Sequence, residues 1–294
     1  MLSASKLVIH SFAKLNLFLE IINKRPDNYH SLKTIFERIS LADFITLKSS
    51  RGSSIRIRCS DKTLPTGEAN LCFKAAKLLR DKFNPSGGLD IKIIKHIPVG
   101  AGLGGGSANA AAVLSGLNKL WGLKLSKIKL ANIASSLGSD VPFFIHELPF
   151  ALGTGRGEKI KSLNNLKRTK IWHVLVVPKL HVSTPLIYNN WDNFAGLTKP
   201  VYDVKILTSA LAKKSSFFRP GLLFNSLEQV TISLYPEVKR VKDALLKLGL
   251  SCVAMSGSGP AVFAIVSSGK EAFRLAKVIR KKYNSWRVFT VSTV

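Results

Sequence analysis

The sequence contains few acidic residues, cysteines or methionines. Its 294 residues include 17 Asp and Glu against 44 Lys and Arg, with only 3 Cys and 2 Met. Cys59, Cys72 and Cys252 are far apart and form no Cys-x-x-Cys pair. This spacing argues against a disulfide framework or a cysteine zinc site and favours a reducing compartment, with the thiols as small core residues. No His-Glu-x-x-His motif occurs, so the sequence predicts no resident metal site.

Long uninterrupted apolar runs are also missing. The longest, residues 141–152, is interrupted by two prolines, a histidine and a glutamate. A membrane-spanning helix needs roughly 18 to 20 apolar residues in a row. The N-terminus has no apolar segment followed by a small-residue cleavage site. We therefore expect a cytoplasmic protein that has no membrane partner and no removable targeting segment.

The formal net charge of +27 permits a nucleic acid, an anionic membrane surface or a polyanionic small molecule as a partner. The basic residues are scattered, and the longest run is only residues 280–282. We interpret most of the excess as a solvated lysine-rich surface, with attraction of anions as the alternative. Because the sequence has no basic arm or stripe, we expect no nucleic-acid partner.

Apolar periodicity predicts mixed short elements. Alternation predicts strands at 15–21, 55–59 and 89–94, and spacings of three and four predict helices over 71–83 and 107–119. Another helix is expected to begin after Ser126 as N-cap and to end at Leu137, with Gly138 in the left-handed C-cap position. Asp140 then falls in the loop beyond that helix.

The polar, lysine-rich segment at 158–168 marks the predicted domain boundary, which gives domains at 1–160 and 161–294. After the strand-like IWHVLVVP, the second half is predicted as helix, helix, strand, glycine turn, strand, helix, strand. This order favours an α+β sandwich with helices on one face of a mostly antiparallel sheet.

The stretch PVGAGLGGGSANAAAV at 98–113 places five glycines in the seven residues 100–106, directly before a strong helix. A strand-like segment precedes it, so the loop delivers unpaired backbone N–H groups to the positive end of a helix dipole. That arrangement is typical of a phosphate site, and a plain glycine linker is the alternative.

Two common phosphate motifs do not fit this loop. Gly100, Gly102 and Gly105 match the Gly-x-Gly-x-x-Gly spacing of dinucleotide-binding folds, but no acidic residue occurs between Asp90 and Asp140 to bind the ribose. A Walker A loop needs Lys before Ser or Thr, whereas glycine precedes the serine here. A lysine for the phosphates must come from elsewhere in the chain.

Three segments together resemble the GHMP kinase superfamily. The glycine run is similar to the family's second motif, AKLNLFLEI with KRPDNYHSLKTIFERI to its first, and AMSGSGPAVFAI to its third. DNYH, SLGSDVPFF, ALGTGRGE, STPLIY and NSLE are similar to members that phosphorylate a cytidine-diphosphate alcohol. Asn28, Ala108 and Ser226 depart from the family's usual residues, and asparagine tolerates the positive φ that glycine supplies in DGYH.

The resemblance implies an ATP-dependent kinase in which Asp140 is the catalytic base and Lys14 the catalytic lysine. A cation near the carboxylate would keep it ionised and stabilise the developing alkoxide. Mg²⁺ is expected to be held mainly by the nucleotide phosphates, with Ser107 as a candidate ligand. The nucleotide loop is then Pro98, Val99, Gly100, Ala101, Gly102, Leu103, Gly104, Gly105, Gly106, Ser107 and Ala108.

The resemblance also implies residues for the acceptor. Tyr29 and His30 match residues that recognise the cytidine end, and Tyr188 matches an aromatic that sandwiches the base. Asn16 is implied as an acceptor contact, and Lys95 and Thr184 as contacts to a substrate phosphate and hydroxyl. Gly257, Ser258 and Gly259 belong to a loop that closes the site in the family.

The implied fold is α+β with the two-domain GHMP kinase architecture, an N-terminal ribosomal-S5-like α/β domain and a C-terminal ferredoxin-like α+β sandwich. The implied partners are ATP and the cytidine-diphosphate alcohol, for a monomer or weak homodimer. Two alternatives stay open: another GHMP kinase that acts on mevalonate or homoserine, and a basic nucleic-acid-binding protein whose loop touches backbone phosphate.

Overall fold

The computed structural model describes residues 6–213 and 219–294. Its strands are β1 (Lys6–Lys24), β2 (His30–Ser50), β3 (Ile55–Cys59), β4 (Gly88–Ile94), β5 (Phe150–Thr154), β6 (Lys159–Ser162), β7 (Trp172–Val177), β8 (Phe224–Asn225), β9 (Val253–Met255), β10 (Val262–Val266) and β11 (Arg287–Ser292). Its α-helices are α1 (Leu71–Phe83), α2 (Gly105–Leu120), α3 (Lys127–Ala134), α4 (Val141–His146), α5 (Thr184–Trp191), α6 (Val204–Lys213), α7 (Glu228–Leu234), α8 (Pro236–Lys247) and α9 (Gly269–Lys282).

The chain forms two compact units that are not contiguous in sequence. Unit 1 contains Met1–Ala13, Leu41–Ile97 and Gly104–Glu147, and unit 2 contains Lys14–Ser40, Pro98–Leu103 and Leu148–Val294. The long strands β1 and β2 therefore contribute residues to both units. The sequence boundary at 160/161 remains a proposal for the domain division.

Unit 1 is a sheet with helices on one face. β3 runs parallel to β4, and β4 pairs antiparallel with the second half of β2. Inward residues such as Ile45, Leu47 and Ile91 are buried, whereas the alternate residues face outward, as the two-residue period of a strand requires. α2 lies on the inward face, where a side chain at Gly116 would stand 2.5 Å from atoms of both Ile9 and Leu47. α1 and α4 pack against α2.

The third predicted helix is shorter than expected. Ser126 is its N-cap, and its Oγ accepts a bond from the N–H of Lys129 at 3.3 Å. The helix ends at Ala134, however, and Gly138 does not adopt a left-handed conformation, so both predictions for its C-terminus were wrong. Ser135 and Ser136 donate their hydroxyls back to carbonyls of the last turn, which competes with continuation of the helix.

Unit 2 contains a four-stranded antiparallel sheet in the order β11-β7-β10-β9. α9 packs on β7 and β11, and α8 packs on β9 and β10. Among the described residues of this half, four α-helices, not two, lie between β7 and β9. The first half of β2 also pairs with β5, which pairs with β6, and β1 pairs with β8.

The cysteines behave largely as the sequence predicts. Cys72 and Cys252 are buried, and burial raises the pKa of the Cys72 thiol to about 12 and that of Cys252 to about 11. Cys59, at the end of β3, is only partly buried. The two buried thiols therefore stay protonated and act as small core residues near neutral pH.

Candidate active site

In unit 1, the glycine run becomes the N-terminus of α2. Gly104 is the N-cap, with φ +68°, and no side chain caps the helix. The first turn carries no acidic residue. The first N–H groups of a helix have no partner within the helix, and the helix dipole adds partial positive charge there. This end of α2 therefore suits an anion.

Lys95 lies beside the same helix end. A Cβ placed on Gly105 would stand 3.3 Å from Lys95 Nζ. The ammonium forms an ion pair with Asp43, which is fully buried and also accepts bonds from the N–H groups of His96 (2.7 Å) and Ile97 (2.9 Å). Asp43 thus fixes both the lysine and the segment that leads into the glycine loop.

Asp140 is the N-cap residue of α4, with φ −82° and ψ −18°, and the preceding segment approaches it through turns. Its carboxylate makes no capping bond to that helix. The residue is half-buried, and α4 packs on α2 within unit 1. The structure therefore does not use this carboxylate for the structural role that its position before Pro142 suggests.

In unit 2, residues 98–103 of the glycine loop pack against the third motif. Ser256 Oγ donates to the Gly102 carbonyl at 3.0 Å, and the Ala261 N–H donates to the Ala101 carbonyl at 3.3 Å. Gly102 has φ +74°, and a Cβ there would stand 2.0 Å from the Ser256 carbonyl oxygen. Only glycine allows this approach of two backbones.

Lys14 and Asn16 are buried side by side on β1. Lys14 Nζ donates to Asn16 Oδ1, and Asn16 Nδ2 donates to Thr34 Oγ1 at 2.8 Å. The Asn16 N–H donates to Ser256 Oγ at 3.2 Å. A Cβ at Gly257 would lie 3.2 Å from Lys14 Nζ, so the third motif passes directly over the ammonium group. The first and third predicted motifs therefore meet within unit 2.

The rest of the third motif is held by side chains from the NSLE segment. Asn225 Nδ2 donates to the carbonyls of Met255 and Gly257, each at 2.8 Å, and Glu228 accepts from the Met255 N–H at 2.8 Å. Ser258 Oγ and Thr184 Oγ1 lie 2.7 Å apart. Gly257 and Gly259 have positive φ. NSLE thus supports the backbone of the loop.

His30 and Tyr188 come together in unit 2, with ring centroids 5.2 Å apart. His30 also contacts Trp191 edge-on, and its Nε2 lies 2.7 Å from Asp192 Oδ1. The other Asp192 oxygen accepts from Lys24 at 2.6 Å. The Lys24 bond, and then the His30 bond, lower the pKa of Asp192, so this carboxylate is ionised and orients the imidazole near neutral pH.

Tyr29 is 53% exposed, and the Arg156 guanidinium lies over its ring, 4.8 Å from the ring centroid. Arg156 belongs to the ALGTGRGE segment. Asn28, which precedes Tyr29, has φ +61°. This value confirms the expectation that position 28 needs a left-handed backbone. The turn therefore presents a supported but solvent-accessible ring.

No group of three or more His, Cys, Asp and Glu side chains in the described ranges is placed to hold a metal ion. None of the helices in these ranges is both long and apolar enough to cross a bilayer.

Two family models match the chain: the GHMP kinases N terminal domain over residues 70–147 and the GHMP kinases C terminal over residues 187–285. A 4-diphosphocytidyl-2-C-methyl-D-erythritol kinase of Bacillus velezensis is 42% identical over 91% of this chain and 91% of its own length. The enzyme of the same name from Syntrophotalea carbinolica is 40% identical over 96% of this chain and 97% of its own length. The chain belongs to the GHMP kinase family.

Solved structures confirm the two-domain fold of this GHMP kinase. A crystal structure of 4-(cytidine 5′-diphospho)-2C-methyl-D-erythritol kinase matches with a TM-score of 0.82 at 34% identity and covers 97% of this chain and 98% of that one. A homoserine kinase from Cytophaga hutchinsonii matches with a TM-score of 0.70 and covers 100% of this chain and 96% of that one. Because the two sequences are only 21% identical, this match is evidence for the fold alone.

Sequence reasoning missed three polar residues of this GHMP kinase. Asp43, Thr34 and Asp192 act through Lys95, Asn16 and His30 respectively. Asp43 and Asp192 lie outside the motif segments, and Thr34 lies within KRPDNYHSLKTIFERI but was not singled out there. The sequence signal that could have found Asp43 is a lone acid within an apolar strand, in the segment SLADFITL.

We predict that Gly102→Ala lowers the free energy of unfolding by roughly 2 to 5 kcal/mol. A positive φ costs an alanine about 1 to 2 kcal/mol, and the clash with the Ser256 carbonyl adds about 1 to 3 kcal/mol. Gly249→Ala is the matched control, because Gly249 has φ +83° with nothing within 4 Å of the added Cβ. Urea unfolding measures the free energy of unfolding of both variants. Equal losses would contradict the tight contact.

Proposed function

We propose that this GHMP kinase transfers the γ-phosphoryl group of ATP to the 2-hydroxyl of 4-diphosphocytidyl-2-C-methyl-D-erythritol, a step in isoprenoid precursor synthesis. The observation that carries the proposal is the 40% or higher identity, over more than nine-tenths of the chain, to enzymes of that name. The cluster of His30, Tyr188 and Asp192 supports it, because a nucleobase needs ring and hydrogen-bond contacts.

The triphosphate of ATP is assigned to the N–H groups of residues 100–107 and to Lys95. A phosphoryl transfer depends mostly on positioning and on positive charge around the moving group. Unpaired helix N–H groups supply the first of these contacts, and the ammonium beside Gly105 supplies a charge that the loop itself lacks. Lys95 is thereby proposed as a nucleotide contact as well as the substrate phosphate contact predicted from the sequence.

Mg²⁺ fits this set of residues as an ion that enters with the nucleotide. Mg²⁺ prefers oxygen ligands, retains several waters and is commonly held by phosphates with one or two protein groups. Ser107, in the first turn of α2, is the hydroxyl available there, and no acidic cluster occurs among the described residues. When bound, the ion would offset charge on the phosphate oxygens.

Asp140 is proposed as the base that accepts the proton of the acceptor hydroxyl, and Lys14 as the cation that stabilises the resulting alkoxide. The Lys14 ammonium is fixed by Asn16, whose amide is in turn fixed by Thr34. A buried ammonium that is held in one position needs little reorganisation when negative charge develops nearby. Asn16 and Thr34 thus act as positioning residues for Lys14.

The substrate is tested by following ADP release from magnesium ATP with three acceptors: the cytidylyl-methylerythritol, mevalonate and homoserine. We expect kcat/KM for the cytidine compound to exceed that for the other two by roughly 10³-fold or more, because buried polar groups built for one ligand reject another that leaves them unpaired. CDP should compete with the acceptor. A preference for mevalonate or homoserine would refute the proposed substrate.

Asp140→Asn is expected to lower kcat by about 10²- to 10⁴-fold, the usual contribution of a positioned base, and to leave the KM for ATP within a few-fold. Asp81→Asn, an exposed change on α1, is the matched control and should leave kcat unchanged. Circular dichroism checks that both variants fold. Turnover of the Asp140 variant within threefold of the parent would remove this residue from its role.

Asp192→Ala is expected to raise the KM for the cytidine acceptor roughly tenfold, with kcat and the KM for ATP within threefold, because the imidazole of His30 loses a charge-assisted hydrogen bond. Lys24→Met is the control, since Lys24 binds the same carboxylate through its other oxygen. Steady-state kinetics with each substrate varied separates the constants. If both variants raise the acceptor KM equally, the contact to His30 is not what matters.

A further inference from the structure

The outward face of the unit 1 sheet carries a cluster of basic side chains that the kinase reaction does not use. It is formed by alternate residues of four strands, and a depression of about 330 Å³ lies among them. We call it the basic face, and it comprises Lys6, Thr46, Lys48, Arg56, Arg58, Asp90 and Lys92.

Strand register explains why these residues meet. Arg56 and Lys48 both pair with Asp90 across the sheet, and Arg58 and Thr46 both pair with Lys92. Neighbouring strands lie about 4.8 Å apart, and same-face residues of one strand recur every 6.6 to 6.8 Å or so. Residues that are far apart in sequence therefore form one compact patch.

The patch has a strong excess of positive charge. Five of its residues are cations and one is an acid. Within the described part of the chain only Arg56 among these cations forms an ion pair, with Asp90 at 2.7 Å. Lys6, Lys48, Arg58 and Lys92 are all exposed. The cations repel one another, and the single carboxylate of Asp90 offsets only part of that repulsion, so a further anion would stabilise the patch.

Aromatic and imidazole rings continue the same face. The Phe44 ring lies 4.7 Å from that of His10 and 5.5 Å from that of His96, and the Phe12 ring lies 6.0 Å from His10. His10 and His96 are exposed, as is the neighbouring Ile94. The outward face thus carries cations at one end and rings at the other.

We propose that this face binds single-stranded nucleic acid, with phosphates on the basic residues and bases stacked on the rings. Proteins that bind single strands without sequence preference combine a positive track with aromatic platforms, and unpaired RNA bases stack on Phe and His. A second copy of this chain would place like charges against each other. A free phosphate would leave the rings without a role.

This binding is separate from the proposed kinase activity. The face lies on the side of the sheet opposite α2, whose N-terminus is assigned to the nucleotide. The net charge left a nucleic-acid partner open as an alternative but did not locate this face, because its four cations without an ion pair are spread over residues 6–92 and none lies in a basic run. The net charge of +27 would favour the encounter with a polyanion.

The test is fluorescence anisotropy with labelled 15-nucleotide RNA and DNA, titrated at several salt concentrations without ATP. Changing both Arg58→Glu and Lys92→Glu should weaken binding at least tenfold and reduce the slope of log K against log salt by about 1.4, or roughly 0.7 for each lost phosphate contact. The matched control changes Arg274→Glu and Lys277→Glu, which are exposed on α9 and alter net charge equally. It should weaken binding less than threefold.

A second variant tests the rings. His10→Ala should weaken oligonucleotide binding about tenfold and leave the binding of inorganic tripolyphosphate unchanged, because only bases stack. Comparison of RNA with DNA shows whether a 2′-hydroxyl contributes, and either preference supports the proposal. Kinase turnover should be normal in all variants, and Arg58→Gln with Lys92→Gln replaces the charge reversal if that variant fails to fold.

Four outcomes would overturn the proposal. The first is that neither oligonucleotide binds, and the second is that the two charge reversals weaken binding equally. The third is that His10→Ala binds the oligonucleotide as tightly as the parent protein. The fourth is that, when vesicles containing phosphatidylserine are tested in parallel, the protein binds the vesicles and not the oligonucleotides. Equal weakening would show that total charge, not this face, attracts the strand. If the parent protein shows no kinase activity, the result of the binding experiment still stands. The two proposals can therefore fail independently.

Discussion

The contact between Gly102 and Ser256 is the constraint on which the unit 2 part of the candidate site depends. The Ser256 hydroxyl donates to the Gly102 carbonyl and accepts from the Asn16 N–H, so one side chain joins three segments that are distant in sequence. A Cβ at Gly102 would stand 2.0 Å from the Ser256 carbonyl oxygen. The glycine spacing of the loop therefore has a steric cause, and the first and third motifs are fixed through the same serine.

The two lysines of the candidate site illustrate one electrostatic rule. A buried ammonium is costly unless it is paired and hydrogen-bonded. Lys95 is paired with the buried carboxylate of Asp43, which offsets the cost of placing its ammonium beside the positive end of α2. Lys14 bonds instead to the neutral amide of Asn16 and lies 5.8 Å from the centre of the Phe36 ring. The two ammonium groups are therefore held by chemically different partners.

Local signals in the sequence were sufficient for much of the fold. The strand at 55–59 and the helix at 71–83 agree with the structure to the residue, because their apolar periodicity is strong, and Asn70 and Asn84 cap the two ends of the helix. The predicted end of α3 was wrong because serine hydroxyls compete for the carbonyls of its last turn. The motif residues around Gly102, Lys14 and Ser258 were identified through the family resemblance.

Long-range pairing could not be obtained from the sequence in the same way. Asp192 binds His30 across 162 residues, and Asp43 binds Lys95 across 52. The basic face is a matter of strand register, since Arg58 and Lys92 become neighbours only when β3 pairs with β4. An isolated acid or cation carries no local periodicity, so only the folded chain reveals its partner.

Hydrogen exchange of the backbone amides tests the central claim most directly. The claim is that the N–H groups of residues 100–107 bind the phosphates of the nucleotide. At a saturating concentration of a non-hydrolysable ATP analogue with Mg²⁺, the peptide that covers residues 98–108 should exchange at least about tenfold more slowly, whereas the exposed face of α9 should be unaffected. Exchange in that peptide that is unchanged at saturation would contradict the account.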